Sequence, residues 1–339
     1  MRMRMLAAGL AGFALVAAGC KGGGQAAVKV DTLQLAAFAP LPEVMVSQAN
    51  PITDAKIDLG RRLFFETQLS AGSTISCNSC HELNRFGADT GAVSVGHKGK
   101  KGGRNSPTVY NAAGHSAQFW DGRAADVEAQ ALGPILNPLE MAMPAAPAVI
   151  NRVRASAEYR RLFTAAFPGE RNPITYENLG RAIGAFERKL VTPSRWDHFL
   201  HGVDSALTPA EKEGFNTFTA TGCQTCHTGA FVGGSMFQKA GLVRPWPDTT
   251  DVGREAVTHQ PSDRMVFKVP SLRNIARTAP YFHNGAVRSL DTAVVWMARL
   301  QLGKELNAQE VGQIVAWLGS LTGQVPTAYI TLPQAAMPR

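Results

Sequence analysis

Two short stretches of the chain have the residue types and spacing to hold a redox cofactor. Ser76-Cys77-Asn78-Ser79-Cys80-His81 recurs as Gly222-Cys223-Gln224-Thr225-Cys226-His227. Each contains Cys-x-x-Cys-His, the attachment motif of a c-type haem. The two thiols add across the haem vinyl groups as thioethers, and the adjacent histidine, His81 or His227, gives the iron its proximal nitrogen. Four of only five cysteines are used this way. A four-cysteine zinc site would join two distant pairs and leave both histidines unexplained, as would a redox dithiol. The sequence therefore predicts two covalent haems.

The elements that must position these motifs can be read around them. With 339 residues and 45% hydrophobic content, the chain suits two domains of ordinary size, one motif in each. Thr53 is placed to cap a helix carrying Ile57, Leu59, Leu63 and Phe64, and Ser70 to Thr74 reads as a turn into the first motif. Val149 to Phe167 and Glu177 to Leu190 are helical patterns, the second with a stripe of Leu179, Ile183, Phe186 and Leu190. Thr192-Pro193 marks the domain boundary. Thr208-Pro209-Ala210-Glu211 is a capping box that opens the helix leading to Cys223. A helix from Ser289 holds Leu290, Val294, Met297 and Leu300. Another capping box spans Asn307 to Glu310, with Gly323 as the stop.

Several residues between the motifs have two readings. His97 lies in a glycine-rich loop and reads either as a distal haem ligand or as a solvent-facing histidine. Trp120 is a core ring or a stepping stone for electrons between haems. Glu140 stands among Pro138, Leu139, Met141 and Met143. It is either an exposed capping residue or a carboxylate whose pKa is raised in an apolar pocket, able to move protons. The polar turn Arg104 to Thr108 has oxygens suited to a cation. Met297 and His283 are the candidates for the sixth ligand of the second iron. His115 reads as a surface or linker residue, with iron binding as its other possibility.

The formal charge of +8 suits an acidic protein partner or a membrane surface, and no Lys/Arg-rich tract points to nucleic acid. Residues 1–20 read as a leader, with Arg2 and Arg4 ahead of an apolar run too short to span a bilayer. Cys20 follows a lipoprotein-like cleavage sequence, so a lipidated Cys20 and a membrane anchor are expected, with plain secretion as the alternative. Both place the protein in the periplasm, and Lys21 to Ala27 reads as a flexible tether.

Taken together, these residues resemble the bacterial dihaem cytochrome c peroxidases over roughly Pro51 to Gly323. The similarity rests on Leu59-Gly60-Arg61-Arg62-Leu63-Phe64, both haem motifs, Asn105-Ser106-Pro107-Thr108 and Gln118 to Asp126. Glu140-Met141, Ala279-Pro280-Tyr281-Phe282-His283 and Leu321-Thr322-Gly323 complete it. The resemblance implies a mainly α fold of two cytochrome c-like haem domains. Its organisation would be a leader (1–20), a tether and N-terminal extension (21–50), a peroxidatic haem domain (51–191) and an electron-transfer haem domain (192–339).

The resemblance also implies the residue roles. Cys77, Cys80 and His81 hold the low-potential haem, and His97 closes its distal side until the other haem is reduced. Gln130 and Glu140 are its distal pocket residues, and Trp120 lies between the haems. Cys223, Cys226, His227 and Met297 serve the high-potential haem. Asn105, Thr278 and Pro280 help to hold a calcium ion, the last two through backbone oxygens. The activity implied is reduction of hydrogen peroxide to water with electrons from a small soluble cytochrome or copper protein, by a homodimer. The related maturation oxidases carry tyrosine at the second iron, where this chain has Met297. A pure electron carrier needs no Gln130/Glu140 pair.

Overall fold

The computed structural model describes residues 28–332, so the expected leader, Cys20 and the tether Lys21 to Ala27 lie outside the described residues. Helices dominate. The only regular sheet among the described residues is a two-stranded antiparallel ribbon, Phe237–Lys239 against Val266–Lys268, with Phe237 opposite Lys268.

Local chemistry explains where the main helices start. Thr53 accepts from the Lys56 N–H and opens Asp54–Phe65. Thr208 and Glu211 form the expected reciprocal capping box at the head of Pro209–Thr221, which ends on left-handed Gly222, one residue before Cys223. Asn307 and Glu310 do the same for Ala308–Ser320. That helix stops at Ser320, short of Gly323, whose N–H is instead taken by Asn274 Oδ1 at 3.0 Å. The pattern over Val149 to Phe167 is two helices, Ala146–Ala155 and Ala157–Ala166. Ser156 breaks the run because its side chain accepts from Tyr159 N–H and caps the second piece.

Two hydrophobic cores form. The first packs Leu59, Leu63 and Phe64 against Leu179, Ile183 and Phe186, and takes in Ile330 from the far end of the chain. The second gathers Trp196, Phe215, Phe218 and Trp317, and takes in Phe38 from the N-terminal segment. Phe38 and Ile330 thus each pack onto the core of the opposite half. In both cores two helices cross closely over a glycine. A Cβ on Gly60 would lie 1.8 Å from Ala182 O, and one on Gly214 would lie 2.0 Å from Gln313 O. No side chain fits at either crossing.

The halves are joined by buried polar contacts. Thr192 Oγ1 accepts from the amides of Asn111 and Asn274, both at 2.9 Å, and Thr192 N–H donates to Asn111 Oδ1. Five residues on, Asp197 pairs with Arg273 at 2.7 Å in full burial. Among the described residues no helix is long and apolar enough to cross a membrane.

Candidate active site

Two cavities lie beside the two motifs. Cys77, Cys80 and His81 line the first, of about 550 Å³. Cys223, Cys226 and His227 line the second, of about 250 Å³. In each motif the first cysteine begins a single 3₁₀ turn, which brings the second cysteine and the histidine to the same wall. All four cysteines are unpaired.

The histidines are oriented by their own loops. His81 Nδ1 lies 3.3 Å from Gly87 O, and His227 Nδ1 lies 3.3 Å from Val232 O. A carbonyl at Nδ1 selects the tautomer with a free Nε2, which is the nitrogen a metal takes. Burial pushes both imidazoles down, His227 to about 4, so both are neutral at pH 7. Burial also pushes the Cys223 thiol up to about 12. Neutral imidazoles and unpaired, half-buried thiols, with walls carrying Val109, Val127 and Met141 in the first cavity and Phe218, Leu272, Leu290 and Val294 in the second, fit a covalently attached, largely apolar haem in each.

The first cavity carries the acid–base groups. Gln130, from the helix Val127–Leu136, and Glu140, from the turn after it, both face it. Burial raises the Glu140 carboxyl, while nearby Arg123 and the Asn137 amide, which donates to Oε1 at 2.9 Å, hold it back. Burial does this without the expected help of Leu139, which is 41% exposed. Met141 does line the cavity, and Met143 is buried in the adjoining core. Arg123 is fixed by Asp121, at 2.9 Å from Oδ2, and stacks 3.5 Å above the Phe119 ring.

Trp120 lines both cavities, with its indole N–H donated to Asn105 O at 2.9 Å. Asn105 lines both as well. Its amide nitrogen donates to Gly91 O and Ala92 O. Thr278 and Pro280 lie on the second cavity wall.

Met297 lines the second cavity where the helix Leu290–Trp296 passes into a π-helical turn, Met297–Gln301. Such turns re-aim a side chain and favour functional sites. His283 shares that cavity. It is buried, stacks on Phe267 at 4.3 Å, and leaves Nε2 without a partner among the described residues.

His97 lies outside the first cavity, and His115 departs from its reading as a surface residue. The His97 ring packs beside Gly72, where an added Cβ would be 3.4 Å from it, and Gly96 faces the first cavity instead. The His97 N–H donates to Glu140 O at 2.7 Å, and the left-handed Lys98 and Gly99 turn the loop at that point. His115 is not a surface residue. It lines the second cavity, with Nδ1 3.3 Å from the buried Lys268 ammonium and Nε2 buried without a partner.

Sequence reasoning missed Arg123, Lys268 and Glu187 as cavity residues. For Glu187 a signal was present. It stands four residues after Ile183, on the apolar stripe itself.

A mainly helical protein with two Cys-x-x-Cys-His cavities bridged by one tryptophan belongs to the class of dihaem c-type proteins. A family model described as di-haem cytochrome c peroxidase matches residues 54–205. The chain is 44% identical over 307 residues to cytochrome c551 peroxidase of Pseudomonas aeruginosa, covering 88% of each. It is 34% identical over 313 residues to methylamine utilization protein MauG of Paracoccus denitrificans, covering 78% of this chain and 81% of that one. The crystal structure of a MauG-like protein associated with microbial copper homeostasis superposes with a TM-score of 0.74 at 31% identity. That match covers 86% of this chain and 95% of the other. The chain belongs to the dihaem cytochrome c peroxidase/MauG-like family.

Proposed function

We propose that this chain reduces hydrogen peroxide to water in the periplasm, taking electrons from a small external donor protein. The observation that carries this reading is the placing of Glu140 and Gln130 in the same cavity as the first Cys-x-x-Cys-His. Two cytochrome c-like haem domains, 51–191 and 192–339, a lipidated Cys20, a homodimer and a calcium ion near Asn105, Thr278 and Pro280 complete the proposal. Met297, in place of tyrosine, favours peroxide reduction over protein maturation.

Bound haem would supply an open coordination position and one electron from each centre. The chain supplies the rest. Cys77, Cys80 and His81 hold one haem, and Cys223, Cys226, His227 and Met297 hold the other. Glu140 accepts a proton from one peroxide oxygen and returns it to the leaving oxygen, so that water departs rather than hydroxide. Gln130 orients peroxide by hydrogen bonding and cannot replace the acid, because an amide does not ionise near neutral pH. Trp120 spans the two cavities and shortens the electron path. His97 gates the distal side, approaching it in the oxidised protein and withdrawing on reduction of the second haem.

The test of this function is peroxide-dependent oxidation of a reduced donor by the holoprotein, before and after partial reduction. Turnover supports the reading, and donor exchange without peroxide consumption overturns it.

Two consequences follow from named side chains. Glu140 must be ionised to act as a base, so the rate falls as pH drops through its raised pKa. Asn137→Ala removes a donor to the carboxylate and raises that pKa further. The acid limb of the kcat/KM profile is expected to move to higher pH, and an unmoved limb would detach Asn137 from the proton chemistry. Met297→His is expected to give a bis-histidine second haem of lower potential, since a thioether favours ferrous iron. An unchanged upper potential in a redox titration would remove Met297 from the coordination sphere.

A further inference from the structure

Glu187 is the last residue of the helix Tyr176–Glu187, and it is only 4% exposed. Its side chain lines the first cavity and makes no hydrogen bond to any other described residue. Glu128, Tyr329 and Arg61 have partners of their own. Glu128 is held by Arg188 at 2.7 and 2.8 Å and by the Asn50 amide at 2.8 Å. The Tyr329 hydroxyl donates to Phe186 O, and Arg61 reaches Tyr329 O. Nothing in the packing of the helix requires a carboxyl at this position, since its neighbours on the stripe, Ile183, Phe186 and Leu190, are apolar and fully buried.

We infer that Glu187 couples a proton to the electron of the first haem, accepting the proton when that centre is reduced and releasing it into the cavity when that centre is oxidised. The inference rests on the reading of this cavity as a haem site. The balance is one electron from the external donor and one proton from solvent on reduction, both given up on oxidation. Reduction of one peroxide consumes two electrons and two protons. Glu140 only moves a proton from one oxygen to the other, so the two consumed protons must enter from elsewhere. Glu187, in the same cavity, holds one of them.

The electrostatics agree with the geometry. Burial, and then the negative charge of Glu128, raise the Glu187 carboxyl to about 8, with Arg188 lowering it. Of the other groups around it, the Cys77 thiol and the Tyr329 phenol are raised first by burial, and the Glu187 charge adds to both. Arg123 and Glu140 face the same cavity. Around pH 8 the carboxyl is therefore divided between its ionised and neutral forms, and added negative charge at the haem shifts it toward the protonated one. The unfolded chain would ionise this group, so the position costs stability above pH 4.5, a cost that grows up to the native pKa. Retaining such a group on a cavity wall is characteristic of functional sites.

The experiment is a spectroscopic redox titration of the holoprotein across about two pH units centred near 8. The first haem's potential is expected to fall with pH, approaching the 59 mV of a one-electron, one-proton couple per tenfold change in proton concentration. In Glu187→Gln that slope should be lost, while the second haem's dependence stays unchanged. Glu187→Asp keeps the carboxyl, so its slope should survive with a displaced window, and this variant serves if the glutamine form does not mature. Infrared difference spectra of the wild-type protein should gain a protonated-carboxyl band on reduction, absent from Glu187→Gln. A flat wild-type profile, or an unchanged slope in Glu187→Gln, overturns the inference while leaving peroxide reduction intact. A preparation lacking haem at Cys77 and Cys80 overturns the haem reading itself.

Discussion

Glu140→Gln holoprotein is expected to keep both haems, Met297 ligation and electron uptake from the donor, yet to reduce peroxide at least about 100-fold more slowly. The glutamine preserves shape and can still hydrogen-bond to Asn137, so the change removes a proton carrier and little else. Peroxide is a poor ligand while fully protonated, and its bond breaks easily only if the departing oxygen leaves as water. One group that is first a base and then an acid meets both needs, and burial raises Glu140 toward the pH at which it can do both. Stopped-flow mixing of the half-reduced variant with peroxide measures the effect. Near-wild-type rates would shift the proton chemistry to water or to Glu187. His115 is no substitute, because it faces the second cavity.

The second large effect is on stability. Asp197→Ala is expected to destabilise the holoprotein by about 3–5 kcal/mol, the usual cost of removing one partner from a buried ion pair. Asp197 is saturated. It accepts from Arg273 at 2.7 and 2.9 Å, from Ser194 N–H at 2.7 Å and from Leu41 N–H at 2.8 Å. Arg273 is 1% exposed and would be left charged in the interior with only Ala230 O and Ser194 Oγ as neighbours. Burial alone would raise the Asp197 carboxyl, but Arg273 and the backbone N–H groups win and hold it below its ordinary 3.8. Its contribution is therefore complete above about pH 4 and is lost as pH falls through the depressed native value. Denaturant unfolding at neutral pH checks the magnitude. A loss under about 1 kcal/mol would show that water or a rearranged Ser194 replaces the carboxylate.

What was legible in the sequence was local. Cys-x-x-Cys-His needs only five consecutive residues. The caps at Thr53, Thr208 and Asn307 are decided within four, so those helices start where their side chains say they should. The Ser156 break was less visible, because an apolar pattern runs through it and only the hydroxyl's competition for Tyr159 N–H interrupts the helix. Features that depend on distant partners were hidden. His115 meets Lys268 across 153 positions, and Phe38 and Ile330 join cores in the opposite half. Glu187 was passed over, because its spacing places it on the apolar stripe but does not say that the stripe borders a cavity. The π-helical turn at Met297 has no sequence signature of its own, although the methionine in it was identified.

The most direct test is a titration of the fully reduced wild-type holoprotein with hydrogen peroxide, following both haems by their absorption. The account predicts that one equivalent of peroxide removes two electrons per chain, one from each haem, and yields water. Slow loss of a single electron, or no reaction until a donor is added, would contradict it and leave a dihaem electron carrier in its place.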